Sequence, residues 1–345
     1  MCIRDRGETD PDEMLHVNGN VKAIYFIGDG SLLTNLVTSL NNLTDCLVEN
    51  NSIYIGNDPS STTNTAEYNV AIGKTALDSI TSGDKNIAIG YNALTANTTS
   101  SNNVAIGQDA LKSNTDGYEN IAIGTGAMES NTSARNNTAI GTEAMKYNTT
   151  GKENLSLGWQ SLKNNQTGEF NTAVGVGTLL AATAANSNTA IGCASMYANT
   201  SGTLNTAIGS WSLKTNTTGS NNTAIGRNAG DTADSGDNNI FIGYNSTPSA
   251  NNTSNEIVIG AGALGHGSNI AVIGNTDCSA WHPADNNGVD LGSTNYNFKD
   301  LYINGVAHLG KIAFGSHDMT LPLSLIHISE PTRPLYISYA VFCLK

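Results

Sequence analysis

Apolar residues in this chain occur in short runs that return at a fixed interval. The run Asn103-Val-Ala-Ile-Gly107 comes back, after a polar stretch, as Asn120-Ile-Ala-Ile-Gly124. The glycine that ends each run occurs thirteen times, at every seventeenth position from Gly56 to Gly260. A repeat of this length is typical of a solenoid, in which each repeat contacts only its neighbours.

We number each repeat from this glycine as position 0. Position −1 is Ile in eleven of the thirteen copies, −2 is usually Ala, and −4 is Asn in eleven. Position −3 is Val, Ile, Leu or Thr, position +4 is usually Leu or Met, and positions +7 and +8 are often Asn-Thr. Such short apolar runs, separated by turn residues, favour strands over helices. The pattern predicts an all-β parallel β-solenoid over residues 51–274, with thirteen coils stacked over about 60 Å at about 4.8 Å each.

Alternation along a strand assigns the repeat positions to two faces, with −1 and −3 on one face and the Ala at −2 on the other. We expect the Ile at −1 and the Leu or Met at +4 to fill the coil interior. The Ala face then points outward, where it can pack against other chains. Gly at position 0 permits a sharp corner, and stacked Asn side chains can bond to their equivalents in neighbouring coils. The residues predicted to carry this structure are Gly73, Gly90, Gly107, Gly124, Gly141, Asn86, Asn103, Asn120, Ile89, Ile106 and Ile123.

The segments that flank the repeats have different patterns. Leu33, Leu36, Leu40, Leu43 and Leu47 alternate spacings of three and four positions. This spacing predicts a coiled coil over residues 31–50 or, as the alternative, a short amphipathic helix that caps the first coil. Asn-Gly turns and alternating apolar residues predict a small β segment over residues 275–322.

Composition narrows the choice of partners. The 345 residues carry a formal charge of −13, and only 13% of them are charged. This balance argues against nucleic acid and against anionic membranes as partners. A membrane-spanning helix needs an apolar run of about 18 residues or more, and the chain has none, so we expect no membrane insertion.

Candidate chemistry is sparse along the sequence. Gly260, Gly262 and Gly265 match a dinucleotide fingerprint, but Gly260 is a repeat glycine and no βαβ unit surrounds it. Cys278 and His282 lie near each other, but no second pair at ligand spacing follows them. We therefore expect no catalytic residues, no cofactor and no metal, and we interpret the chain as a non-enzymatic protein.

The repeat phrase Asn-(Val/Ile/Thr)-Ala-Ile-Gly-x-x-Ala/Ser resembles the head repeat of trimeric autotransporter adhesins. That resemblance implies a left-handed parallel β-roll wound around a three-fold axis. Residues 17–36 (VNGNVKAIYFIGDGSLLTNL) and 289–311 (VDLGSTNYNFKDLYINGVAHLGK) resemble segments of phage tail fibres. The second of these often precedes a self-cleaving chaperone domain. Residues 7–30 are accordingly interpreted as an N-terminal fibre segment, and a C-terminal domain is expected beyond residue 322 of the native protein.

Both termini resemble translated sequencing-adapter sequence, namely MCIRDR at residues 1–6 and LSLIHISEPTRPLYISYAVFCLK at residues 323–345. We expect neither segment to be native. Without them Cys46, Cys193 and Cys278 remain, and three cysteines so widely spaced do not form a disulfide framework.

Together these features predict a homotrimeric phage tail fibre that attaches to a receptor or glycan on a host cell. A bacterial trimeric surface adhesin is the alternative. An ice-binding solenoid and a polysaccharide lyase are further classes, although the chain has no recurring Thr-x-Thr pair and no clustered acids and bases. Three aromatic residues that depart from the repeat, Tyr118, Phe170 and Trp211, are the candidates for receptor contact.

Overall fold

A computed structural model of the chain describes residues 46–56, 59, 62–281, 295–296, 298–299, 302 and 304. They contain one sheet of fifteen strands, and the strands follow one another in chain order. From β2 to β13 each strand pairs in parallel with its equivalent one repeat later, as Val104 does with Ile121. The last step is shorter, because Ile257 pairs with Ala271. The strands are β1 (Cys46–Glu49), β2 (Ser52–Ile55), β3 (Val70–Ile72), β4 (Ile87–Ile89), β5 (Val104–Ile106), β6 (Ile121–Ile123), β7 (Thr138–Ile140), β8 (Leu155–Leu157), β9 (Thr172–Val174), β10 (Thr189–Ile191), β11 (Thr206–Ile208), β12 (Thr223–Ile225), β13 (Ile240–Ile242), β14 (Ile257–Ile259) and β15 (Ala271–Ile273).

This architecture confirms the predicted parallel β-solenoid with one coil per repeat. The coils are joined by backbone hydrogen bonds along the strands and also outside them. The Leu94 N–H, for example, donates to the Ala110 carbonyl at 3.0 Å, and the Thr115 N–H donates to the Thr132 carbonyl at 3.0 Å. The chain divides between Ala280 and Trp281 into two compact units, and the solenoid lies in the first.

The N-terminal end of the solenoid differs from the prediction. The described part of segment 31–50 contains β1, which pairs antiparallel with β2 through a tight turn. Asn50 and Asn51 form that turn with φ of 46° and 58°, a conformation that Asn tolerates well. Leu47, predicted to continue a helical seam, is therefore a strand residue packed against the core. Residues 31–45 lie outside the described residues, as do segments 1–6, 7–30 and 323–345 and most of 275–322.

The coil interior is lined from two sides. The Ala at −2 is fully buried in most coils, and so is the Leu or Met at +4. A buried Leu or Met stabilises the fold by about 1.5–3 kcal/mol relative to an exposed one. The buried side chains at these two positions include Ala71, Ala88, Ala105, Ala122, Ala139, Leu77, Leu94, Leu111, Met128 and Met145.

The prediction for the Ile at −1 was wrong. Ile89, Ile106 and Ile123 point out of the coil with the residue at −3, and Ala fills the interior in their place. The alternation of faces was right, but the inner and outer sides were exchanged. The coil is thin, so the wall opposite a Leu or Met has space for a methyl group and not for a second branched side chain.

The glycine at position 0 makes the predicted corner. From Gly73 to Gly260 its φ lies between 130° and 139°, a conformation that side chains rarely adopt. A Cβ on Gly124 would lie 2.5 Å from the Gly141 carbonyl oxygen, because successive corners stack directly on one another. The glycine is therefore required both for its backbone conformation and for the close approach of the next coil.

The Asn residues at −4 form the predicted ladder inside the solenoid. The Asn69 Oδ1 accepts two hydrogen bonds from Asn86, one from its backbone N–H at 2.8 Å and one from its side-chain Nδ2 at 3.1 Å. The same arrangement continues from coil to coil. The ladder ends at Glu256, a buried residue whose carboxylate accepts Thr253 Oγ1 at 2.7 Å and the Gly267 N–H at 2.9 Å.

A second Asn ladder runs along position +7; it is interrupted once, at Ala182, and it ends at Asn216. Asn131 Nδ2 donates to Asn114 Oδ1 at 2.6 Å, and the series continues to Asn165. Ala182 occupies the next step, so the buried Oδ1 of Asn165 has no hydrogen-bond partner among the described residues. Ala233 leaves the Oδ1 of Asn216 in the same situation.

Candidate binding surfaces

The outer side of the strands forms an apolar stripe, which we call the strand face: positions −1 and −3 of β2–β15. Position −1 is aliphatic in each of these strands, while position −3 changes from Val, Ile or Leu to Thr in several of them. Many of these side chains are 36–47% exposed, and most of the others are partly exposed. An apolar surface that continues over so many coils is a candidate interaction site. The more exposed members are Ile53, Ile72, Ile87, Ile121, Leu155, Leu157, Ile191, Ile208, Ile225 and Ile273.

The surface that follows the glycine corner carries the charged residues of positions +2 and +5. Glu143 accepts hydrogen bonds from Lys163 Nζ at 2.8 Å, Gln160 Nε2 at 2.8 Å and Lys146 Nζ at 3.1 Å. These bonds, with that from Lys163 first, lower the pKa of Glu143 from 4.5 to about 2. Lys146 also pairs with Glu129 at 3.3 Å. The network connects neighbouring coils by cancelling charge, so it presents little free charge to a ligand.

The same surface is different near Trp211. Lys214 Nζ lies 5.2 Å and Arg227 Cζ 5.4 Å from the centre of the Trp211 ring. Arg227 Cζ is also 5.9 Å from the centre of the Tyr244 ring. We call Trp211, Lys214, Arg227 and Tyr244 the Trp211 cluster. All four follow a glycine corner, in three successive coils, and cation–π attraction holds them together.

The acidic neighbour of this cluster is Asp231, next to Lys214 in the column of +5 positions. Burial raises the pKa of the Asp231 carboxyl, and the charge of Lys214 opposes that shift. Neither Lys214 nor Arg227 forms a salt bridge with a described residue. The cluster is therefore a local concentration of positive charge on a chain whose formal charge is −13.

The three aromatic residues predicted to contact a receptor do not form one site. Tyr118 and Phe170 precede their strands, whereas Trp211 follows its strand, so they lie on opposite edges of the strand face. Tyr118 is 38% exposed, stacks with Arg135 at 5.8 Å and borders a shallow polar depression of about 310 Å³. Phe170 is exposed and adopts a φ of 60°.

The other chemical candidates from the sequence remain apart. Cys278 is exposed, and its Sγ lies 3.8 Å from the Ala280 carbonyl oxygen, while His282 lies outside the described residues. The described residues include no group of three His, Cys, Asp or Glu side chains that could hold a metal ion. Within the same ranges no helix is long and apolar enough to cross a membrane. Gly260 of the dinucleotide-like run is a corner glycine with φ of 139°.

Two features of the solenoid are not apparent when the sequence is read from residue to residue without aligning the coils. Lys214, Arg227 and Tyr244 were not singled out, although they depart from the repeat in the same region as Trp211. The signal for them appears when the coils are aligned in register, because Arg227 and Tyr244 then fall in one column directly above each other. The interrupted Asn ladder at +7 is visible in the same alignment.

The described residues define a β-solenoid repeat protein with an apolar strand face and a cationic aromatic cluster. No protein-family model, no curated protein and no solved structure matches the chain. The function is therefore inferred from these surfaces and from the repeat itself.

Proposed function

We propose that this chain forms the rod of a homotrimeric phage tail fibre that attaches the virion to a host cell surface. The observation that supports this proposal most strongly is the strand face. Its aliphatic column at −1 continues from β2 to β15, and these side chains are exposed or partly exposed to solvent in the single chain. A second and a third copy of the same chain cover them, since identical solenoids present identical stripes at the same spacing.

Burial of the strand face supplies the free energy for assembly. Each Å² of apolar surface removed from water contributes about 25 cal/mol, and the stripe extends over about 60 Å at the coil spacing of about 4.8 Å. The number three comes from the resemblance of the repeat to trimeric adhesin heads. The assignment to a phage comes from the resemblance of residues 17–36 and 289–311 to tail-fibre segments.

A trimer provides attachment by multivalency. Three identical chains display every surface feature three times, so weak contacts to a host receptor or glycan combine through their effective concentration. A bacterial trimeric surface adhesin has the same rod and the same physics, and it is the alternative supported by the resemblance of the repeat.

Cell binding tests the proposal. The labelled full chain is incubated with bacterial cells from a range of strains, washed and counted by flow cytometry, beside a variant with Ile106→Glu, Ile123→Glu and Ile140→Glu. We expect the wild-type chain to stay on the cells of some strains, and the variant to be washed off because it has lost its extra copies. If the wild-type chain binds no strain, or if a variant shown to be monomeric remains bound equally well, the attachment mechanism is wrong.

A further inference from the structure

The Trp211 cluster combines accessible aromatic rings with cations that form no salt bridge with a described residue. Its aromatic rings are accessible, with Trp211 39% and Tyr244 51% exposed. Its cations, Lys214 and Arg227, lie over those rings and not against carboxylates of described residues.

The Glu143 network provides the contrast within the same protein. There, Lys146 and Lys163 occupy the same repeat position as Lys214, but each is bonded to a glutamate at 2.8–3.3 Å. Salt bridges of that kind neutralise the charge of the lysines. At the Trp211 cluster the acidic neighbour is Asp231, which forms no salt bridge with Lys214 or Arg227 in the described part of the chain. Burial raises the pKa of the Asp231 carboxyl.

We propose that the Trp211 cluster is a binding site for a carboxylated polysaccharide, a chain of uronic acid residues. The proposal rests on the attachment function and names the chemical class of the receptor. Arg227 recognises a carboxylate because its planar guanidinium donates two parallel hydrogen bonds, and Lys214 adds a second positive charge nearby. Tyr244 and Trp211 offer flat surfaces with a polar edge, against which the apolar C–H face of a sugar ring packs.

The sugar ring separates this partner from other polyanions. Polyphosphate satisfies Lys214 and Arg227 equally well, but it has no apolar face for Tyr244 or Trp211. The coil arrangement also suits a linear polymer. Arg227 and Tyr244 lie one coil apart along the solenoid, so a polysaccharide aligned with the stack of coils meets the cation and the ring in succession.

Calorimetric titration of the full chain tests the proposal. The probes are oligogalacturonate, its methyl ester, which has the same ring without the charge, and inorganic polyphosphate. We expect oligogalacturonate to bind with an affinity that falls as salt is added, and the methyl ester to bind about tenfold more weakly because the charge-assisted bonds are lost. The double variant Lys214→Gln and Arg227→Gln is expected to lose a similar factor of about ten.

Two matched variants serve as controls. Trp159→Ala removes an exposed aromatic residue that no described cation covers, and Lys163→Gln removes one positive charge from the Glu143 network. We expect both to bind oligogalacturonate like the wild type, whereas Trp211→Ala weakens binding. Circular dichroism confirms that each variant is folded.

Three outcomes would overturn this inference: no binding of oligogalacturonate, equal binding by the double variant, or polyphosphate binding as tightly as the uronate. The molar mass of the same sample separates this inference from the proposed function. If the protein is a trimer that does not bind the uronate, the proposed fibre is supported and the proposed receptor is wrong. If it is a monomer that binds the uronate, the trimeric fibre is wrong and the binding site is supported.

Discussion

The inner and outer sides of the strands differ in a way that a ranking by hydrophobicity does not predict, because the smaller residue is buried and the larger one is exposed. The inner side carries the small Ala105 and its equivalents, which are completely buried, and the outer side carries the larger Ile106 and its equivalents. Packing explains the inner side, since the thin coil admits small side chains opposite Leu or Met. The outer side has no such limit, and its large aliphatic residues form the surface that, as we propose, further copies of the chain cover.

In one coil the large and the small side chain of the interior have exchanged positions. Gly230 stands at +4, where most other coils have Leu or Met, and Phe241 stands at −2 of the same turn, where most of them have Ala. Both inner positions remain filled, because Phe241 is completely buried. A Cβ on Gly230 would lie 2.5 Å from the Phe241 ring. The pair shows that positions +4 and −2 share one space inside the coil.

The largest expected effect comes from placing a charge on either side of one strand. Ala105→Glu buries a carboxylate without a partner, and the effective cost of several kcal/mol for such a group is enough to unfold neighbouring coils. Ile106→Glu places the same group one residue away on the strand face, where a single chain can solvate it. We expect circular dichroism and urea unfolding to show loss of structure for Ala105→Glu alone. Equal destabilisation of a monomeric form by both changes would contradict the assignment of the two faces.

A smaller effect is expected from exchanging the Phe241–Gly230 pair for the usual one. Phe241→Ala leaves a cavity and should lower the free energy of unfolding by about 3–5 kcal/mol. Gly230→Leu also destabilises, because the new side chain meets the Phe241 ring. The double variant restores the Leu–Ala arrangement of Leu94 and Ala105, so it should recover most of the loss. Additive losses in urea unfolding would show that the two positions do not share one space.

Completing the second Asn ladder should stabilise the solenoid by about 1 kcal/mol, the net contribution of one hydrogen bond. In Ala182→Asn the new amide can donate to the Oδ1 of Asn165, as Asn165 does to Asn148. Ala182→Asp has the same shape but no N–H to donate, so it should destabilise. A thermal midpoint for Ala182→Asn at or below that of the wild type would argue against the ladder as a source of stability.

The smallest effect concerns the Glu143 network and depends on pH. The folded-state pKa of about 2 is below the ordinary 4.5, so the carboxylate contributes stability above pH 4.5 and loses it as the pH falls toward 2. Glu143 is partly exposed, so the contribution is less than about 1 kcal/mol. The difference in thermal midpoint between the wild type and Glu143→Gln should therefore shrink between pH 6 and pH 2. A constant difference would mean that the bonds do not depend on the charge.

The sequence was sufficient to predict the repeat, the strands, the glycine corners and the Asn ladder, because each follows from local residue chemistry repeated at a strict period. It was not sufficient to decide which side of the strand faces inward. That choice depends on the width of the coil, which the Phe241–Gly230 exchange reveals only after the coils are aligned. The leucine spacing that ends at Leu47 failed for a different reason: strand pairing with Tyr54 and its neighbours overrode a local helical pattern.

The candidate site was predicted only in part. Trp211 was recognised as a departure from the repeat, but Tyr118 and Phe170 lie on the other edge of the strand face. Arg227 follows Trp211 by almost a full repeat along the chain, so its contact depends on the path of the coil and not on local sequence. In the structure, residues at the same repeat position of successive coils lie next to each other, and the cluster is apparent only when the coils are aligned in this way.

The central claim is that the strand face is covered by further copies of the chain. It is tested most directly by the molar mass of the full chain in solution, measured by light scattering after size exclusion. We predict three times the chain mass of 35.9 kDa, and a mass close to 35.9 kDa for the variant carrying Ile106→Glu, Ile123→Glu and Ile140→Glu. A well-folded wild-type chain at 35.9 kDa would contradict the claim, because the aliphatic column would then face water along its whole length.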